Sequence, residues 1–411
     1  MTPRRALAAA CTLCWLAAQA ALAEPGALPP FSEAEVRRIL AHGPWPPPQR
    51  TDPSNRVSGD AQAIALGALL FCDTRLSRTS NISCASCHQP DRDFGDGLAL
   101  AKGIERVDRN TPSLANVGFQ RWYGWDGAGD SLWAQSLRPI VDSREMGGGL
   151  ASVAGTIRSD RELAGRYRAA FGVAPSVSDE AVAVNAAKAL AAYQETLVSG
   201  RTPFDDFRDA LARGDRVAAD GYPEAARRGL AIFIGKGRCD LCHSGPRFSN
   251  GEFHDTAIPF FVAPGRVDPG RFEGIRRVKA SRYNLMGAYS DDPTRSTATA
   301  TQYVALEHRN FGEFKVPSLR NVARTAPYMH NGSLATLRDV VLHYSEIDED
   351  RLHADGERIL KPLHLSELEI ADLQAFLESL SDRGEARAPA TAGSDALREA
   401  TVCTDFAGAA R

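Results

Sequence analysis

Three observations predict an all-α fold built from two like domains. A Cys-x-x-Cys-His motif occurs twice, as Cys84-Ala85-Ser86-Cys87-His88 and as Cys239-Asp240-Leu241-Cys242-His243. The copies stand a domain's length apart. An apolar helical stretch leads into each, and no apolar/polar alternation runs long enough to form a sheet. The length of 411 residues suits two domains. With 43% hydrophobic and 24% charged residues the composition is that of a globular chain. It excludes wholesale disorder, a disulfide miniprotein and a multi-span membrane protein. A formal charge of −3 offers no basic surplus for nucleic acid or an anionic membrane.

The elements follow in order. Arg4 and Arg5 precede an Ala/Leu-rich run, and Ala21-Leu22-Ala23 is a small-x-small site. Residues 1–23 therefore read as an export signal cleaved after Ala23. The run is short for a membrane helix, which needs ~20 residues. The mature chain is expected in the periplasm, without membrane insertion, where disulfides persist. Cys11 and Cys14 leave with the signal. Residues 24–60 hold Pro44, Pro46, Pro47 and Pro48 and read as an extended arm. A helix over 61–71, with Ile64, Leu66, Leu69 and Leu70, opens a first domain expected over 61–200. A second helix is expected over 180–198, with Val182, Ala186, Leu190 and Tyr193 inward. The polar stretch 201–222 reads as a linker. A helix over 224–234, with Leu230, Ile232 and Phe233, opens the second domain, 223–382. Helices over 334–344 and 366–380 close it, the latter starting with a Ser366/Glu369 capping box. Residues 383–411 read as a weakly patterned tail.

Six cysteines remain after the signal. In Cys-x-x-Cys-His one helical turn sets two thiols beside the two vinyl groups of one porphyrin, and the next His reaches the iron. Two such motifs predict two covalent c-type haems, through Cys84 and Cys87 and through Cys239 and Cys242, with His88 and His243 as iron ligands. A thioredoxin-like dithiol or half a zinc site is the alternative. The export signal and a His after both pairs speak against either.

Iron with two protein ligands carries electrons, whereas iron with one keeps a face for peroxide. Of the 9 histidines none lies between His88 and His243, and Met146 is the only methionine there. The His88 haem is thus expected to be open, the alternative being a ligand swapped in from elsewhere. For the His243 haem the candidates are Met286, Met329, His330, His343 and Tyr344. Leu337, Val340, Val341 and Tyr344 share one apolar helix face, with Thr336, Asp339 and His343 on the polar side. Tyr344 therefore points inward, which on periodicity alone is also what a core tyrosine does. A phenolate donor favours ferric iron, and Met favours ferrous iron.

Five segments carry a further signal: Leu70-Phe71-Cys72-Asp73-Thr74-Arg75-Leu76-Ser77, Arg109-Asn110-Thr111-Pro112-Ser113-Leu114, Trp125-Asp126-Gly127, Val316-Pro317-Ser318-Leu319-Arg320-Asn321 and Thr325-Ala326-Pro327-Tyr328-Met329-His330-Asn331-Gly332-Ser333. With them the chain resembles the bacterial di-haem cytochrome c peroxidase/MauG superfamily over nearly its whole mature length. Two features resemble MauG rather than the ordinary peroxidases. Tyr344 stands where the peroxidases have Met, and 100–104 lacks their switch His.

The resemblance implies two cytochrome c-like domains, each with one covalent haem. It implies Tyr344 as a haem ligand and a first haem open without prior reduction. It makes Gln135 and Glu145 the distal residues that assist peroxide cleavage, with Pro139 shaping the pocket. It places Trp125 between the haems as their electronic link. It also implies one Ca²⁺, held by the Asn110 side chain and the carbonyls of Thr325 and Pro327.

The activity implied is oxidation of a Trp or Tyr on a periplasmic partner protein, by a high-valent di-haem state formed with hydrogen peroxide. The rivals are a peroxidase fed by a small cytochrome or cupredoxin, and a non-enzymatic electron carrier. MauG has a surface Trp two residues before the second motif, where this chain has Gly237, so that exit route is not implied. The methanobactin-associated MauG-like enzymes, which oxidise a partner's Trp to kynurenine, are the nearer functional likeness. Cys72 and Cys403 are left over, either to bridge and pin the tail near the first haem or to stay as free thiols.

Overall fold

The computed structural model describes residues 31–384, apart from 177, 259–260 and 350–354, together with Cys403. The export signal and most of the tail lie outside the described residues.

Helices carry the fold. Among the described residues, strands are confined to two short antiparallel pairs, Phe253–His254 with Phe314–Lys315 and Phe261–Ala263 with Arg266–Val267. Buried side chains form two clusters, one in each half of the chain. The first is centred on the helix Ala61–Cys72, capped by Asp60, whose carboxylate accepts from Ala63 N at 2.9 Å. It is apolar around most of its circumference and correspondingly buried. It crosses the helix Asp179–Glu195 at Gly67, where a Cβ would lie 2.0 Å from the Ala189 carbonyl. The second half repeats the device. The helix Glu224–Ile234 crosses Glu367–Glu378 at Gly229, where a Cβ would lie 2.0 Å from the Asp372 carbonyl. Glycine at each crossing lets two backbones meet where any side chain would hold them apart. The expected Ser366/Glu369 capping box is present.

Two segments differ from expectation. The 201–222 stretch is not a free linker. It forms the helices Pro203–Arg213 and Arg216–Asp220, and Phe204, Phe207, Ala210 and Tyr222 lie in the second core. Thr202 and Asp205 make a capping box, and Phe204, Phe207 and Leu211 recur on one face beneath a polar surface. The arm is not wholly extended either. Its helix Glu33–Leu40 starts at a Ser32/Glu35 capping box and buries Ile39 in the second core. The local N-cap chemistry starts a helix in this Pro-rich arm, and Pro44, Pro46, Pro47 and Pro48 all lie after it. Cys403 is bonded to Cys72 and rests against the first core.

Candidate haem sites

Each motif closes one tight turn, with the His N–H donating to the carbonyl of the first cysteine at 2.9 Å, His88 to Cys84 and His243 to Cys239. His88 Nδ1 lies 2.9 Å from the Phe94 carbonyl and His243 Nδ1 2.9 Å from that of Phe248. Both phenylalanines hold a left-handed backbone, φ 61° and 53°. An imidazole donating from Nδ1 keeps its Nε2 lone pair for iron. Burial lowers both histidine pKa values, that of His243 to about 4, so the rings are neutral and ready to ligate. Burial raises the thiols of Cys84 and Cys239 to about 12 and of Cys87 to about 11. A redox dithiol needs the opposite shift. None of the four is in a disulfide. Unbridged thiols beside an oriented imidazole suit covalent haem attachment.

Beyond the motifs the halves share a register. Tyr123 bridges Gly129 as Tyr328 bridges Leu334. Asn116 and Asn321 both take a left-handed backbone, followed by the turns Val117–Phe119 and Val322–Arg324. Ser131 and Thr336 cap the helices Leu132–Val141 and Leu337–Ser345. One sequence interval, that from Asn116 to Asn321, relates every pair. The same interval matches Asn110 with Lys315, Trp125 with His330, and Pro139 with Tyr344.

Around the first motif, Gln135 Oε1 accepts from Arg138 Nη1 at 2.9 Å and sits against Gly129, whose added Cβ would meet it at 2.8 Å. It therefore lies under the loop that carries Trp125. Glu145 is half-buried, and burial raises its carboxyl pKa. Its charge in turn raises Cys84 and Cys87, which places it at the first motif. Met146 N donates to the Pro139 carbonyl at 3.1 Å, tying the Glu145 turn to the Gln135 helix. Met146 itself is buried in the first core.

Trp125 joins the halves. Its Nε1–H donates to the Asn110 carbonyl at 2.9 Å, and its carbonyl accepts from Lys315 N at 2.8 Å. Behind it Arg109 spans Asp126 at 2.8 Å and Asp268 at 2.6 Å. Against the cost of burial, Arg109 and Arg138 hold the Asp126 carboxyl down at about 2.

At the second motif Tyr344 is half-buried, and burial together with the Cys239 and Cys242 thiols pushes its phenol well up. Of its rivals, Met286 is exposed, His330 stacks on Phe314 at 3.5 Å, and His343 Nε2 bonds the Thr256 carbonyl at 2.8 Å. His42 lies behind His243. Its Nε2 is 3.2 Å from the His243 carbonyl and its ring 4.6 Å from Phe248. Nothing in motif spacing signals this, because the arm brings it in from outside the domain.

A cavity of about 60 Å³ is lined by Asp96, Asn110, Thr111, Thr325, Arg92 and Arg324 among others. Asn110 Nδ2 donates to the Leu98 carbonyl at 2.8 Å, which leaves its amide oxygen as the free end. Arg324 is neutralised by Asp382 at 2.8 Å. The oxygen donors are of the kind a hard cation takes, and the Arg92 guanidinium in the same lining opposes one. Asn110 and Thr325 line the cavity, and Pro327 does not.

The family described as di-haem cytochrome c peroxidase matches residues 61–213. The methylamine utilization protein MauG of Methylorubrum extorquens is 37% identical over 322 residues, 78% of each chain. A cytochrome-c peroxidase of Pseudomonas sp. is 32% identical over 361 residues, 85% of this chain and 87% of that one. Among solved structures, a MauG-like protein associated with microbial copper homeostasis superposes with TM-score 0.63 at 27% identity, covering 84% of this chain and 98% of the other.

Proposed function

Because the chain belongs to the di-haem cytochrome c peroxidase and MauG family, and so is a peroxidase-class oxidoreductase, we propose that it is a MauG-like enzyme that uses hydrogen peroxide to oxidise a Trp or Tyr of a partner protein. The observation that carries this reading is the match of Pro139 with Tyr344 in equivalent helices. The second half offers an oxygen donor where the first offers a ring with none. His243 and Tyr344 would hold one iron from two sides, and His88 alone would hold the other.

The haems supply the iron chemistry of peroxide reduction and two-electron oxidation. The chain's own groups do the rest. Glu145, whose carboxyl pKa is raised by burial, takes a proton from the incoming peroxide and returns it to the departing oxygen. Gln135, braced by Arg138, orients that oxygen. Pro139 leaves the approach free of a competing donor. Trp125, bonded to both halves, lies on the path between them. The cavity lined by Asn110 and Thr325 is the proposed Ca²⁺ site, and the Pro327 carbonyl, which lies outside that lining, is dropped from the ligand set that the resemblance implies. The periplasm is the proposed compartment, from the 1–23 signal.

The partner is not met through a tryptophan before the second motif. A side chain at Gly237 would place Cβ 2.8 Å from the Ile232 carbonyl and 3.2 Å from Cys239 Sγ. The test is to add stoichiometric hydrogen peroxide to the di-ferric protein and follow Mössbauer and near-infrared spectra. Oxidation of both haems without prior reduction is expected. A requirement for half-reduction would instead make the protein an electron-fed peroxidase.

A further inference from the structure

The shared register reaches an unassigned residue, Lys315. It is the counterpart of Asn110, the residue that opens the cation cavity. By the same interval, Gln120 and Trp122 are the counterparts of Thr325 and Pro327. Lys315 Nζ donates to Gln120 Oε1 and, at 3.1 Å, to the Trp122 carbonyl. An ammonium group thus sits between oxygens of the two residues that match Thr325 and Pro327, the side-chain oxygen of Gln120 and the carbonyl of Trp122. The backbone repeats the relation. Asn110 N donates to the His330 carbonyl at 2.8 Å, and Lys315 N to the Trp125 carbonyl at 2.8 Å.

We propose that Lys315 is a positioning residue whose ammonium group replaces, in the second half, the cation that the Asn110 cavity takes in the first. Trp125 is then held from both sides. Asn110 accepts from its indole, and Lys315 grips two carbonyls of its loop, those of Trp122 and Trp125. One side of the grip is exchangeable and the other is covalent. Burial lowers the pKa of this amine to about 7, with Arg247 acting in the same direction and Asp126 opposing. The inference rests on reading the Asn110 cavity as a cation site, and it extends the proposed function from the residues that meet peroxide to those that set the inter-haem contact.

The test compares the di-haem wild type with Lys315→Met and Lys315→Asn, each checked for full haem content. Lys315→Asn rebuilds the amide of the first-half cavity. It is expected to bind one more equivalent of Ca²⁺ than wild type by calorimetry and metal analysis. Removing the ammonium group should shift the separation of the two haem midpoint potentials in both variants. Saturating Ca²⁺ should restore it in Lys315→Asn alone. Unchanged potentials in Lys315→Met, or no additional ion and no restoration in Lys315→Asn, would overturn the proposal. Neither readout uses turnover, so failure of the peroxide reading would show separately, in the wild type.

Discussion

Pro139 and Tyr344 occupy the same step of two helices that begin at equivalent caps, Ser131 and Thr336. On the proposed ligand set, one scaffold would make two unlike iron sites by a single side-chain choice. Tyr344→Phe should leave both haems attached and should remove the phenolate contribution to the ferric spectrum of the second. Reaction of the di-ferric protein with peroxide should then stop at one haem. A Mössbauer spectrum still showing both irons oxidised would refute the ligand assignment.

Glu145 is expected to govern the peroxide step through its protonation. Burial raises its pKa above the ordinary carboxyl value, so the base form is lost as pH falls through that raised value. The second-order rate with peroxide should fall on acidification with a midpoint above 4.5. Glu145→Gln should lower the rate by about 10²–10⁴-fold and flatten the profile. Stopped-flow absorption between pH 4 and 8 measures both.

Gly67 and Gly229 are expected to be intolerant of any side chain. Each Cβ would meet a carbonyl at 2.0 Å in backbone that cannot yield as a side chain would. Gly67→Ala and Gly229→Ala should each cost roughly 1–3 kcal/mol or more. A fall in Tm of about 5 °C is the readout. The first should loosen the His88 site and the second the His243 site, seen as separate changes in the two ferric haem signals.

Glu195 gives the fold an acid-side bias. Burial raises its pKa to about 7, against the hydrogen bond from Ser58 Oγ at 2.8 Å. The folded chain then holds a proton that the unfolded chain has already lost. That stabilisation is complete below about 4.5 and disappears as pH rises through about 7. Tm should drop across this window, and Glu195→Gln should reduce the drop.

The fold and both motifs were legible because their signals are local. The Ala61–Cys72, Glu224–Ile234 and Glu367–Glu378 helices announce themselves by apolar spacing and caps. The Pro203–Arg213 helix was hidden because its charged exposed face dominates the composition, while Phe204 and Phe207 carry the packing. Tyr344 was ambiguous on periodicity, since a ligand and a core residue both face inward. Lys315 was overlooked although its signal was in view. Thr111-Pro112-Ser113-Leu114-Ala115-Asn116 and Val316-Pro317-Ser318-Leu319-Arg320-Asn321 share Pro-Ser-Leu and a final Asn. Aligning them pairs Asn110 with Lys315, but only the carbonyls of Trp122 and Trp125 show what the pairing means. His42 and the Arg109–Asp268 pair depend on contacts far apart in sequence, which no local pattern encodes.

The Cys72–Cys403 bond sets a sorting problem for the newly made chain. On the proposed haem attachment, Cys84, Cys87, Cys239 and Cys242 would have to stay reduced, while Cys72 and Cys403 are oxidised. Cys72 is closer in sequence to Cys84 and Cys87 than to its partner, and Cys84 packs against the same core. A bond from Cys72 to either would consume a haem anchor. Because the partner lies at the far end of the chain, the correct bond can close only after both haem-bearing halves have been made. The tail is therefore expected to be locked last, after both halves of the chain are in place.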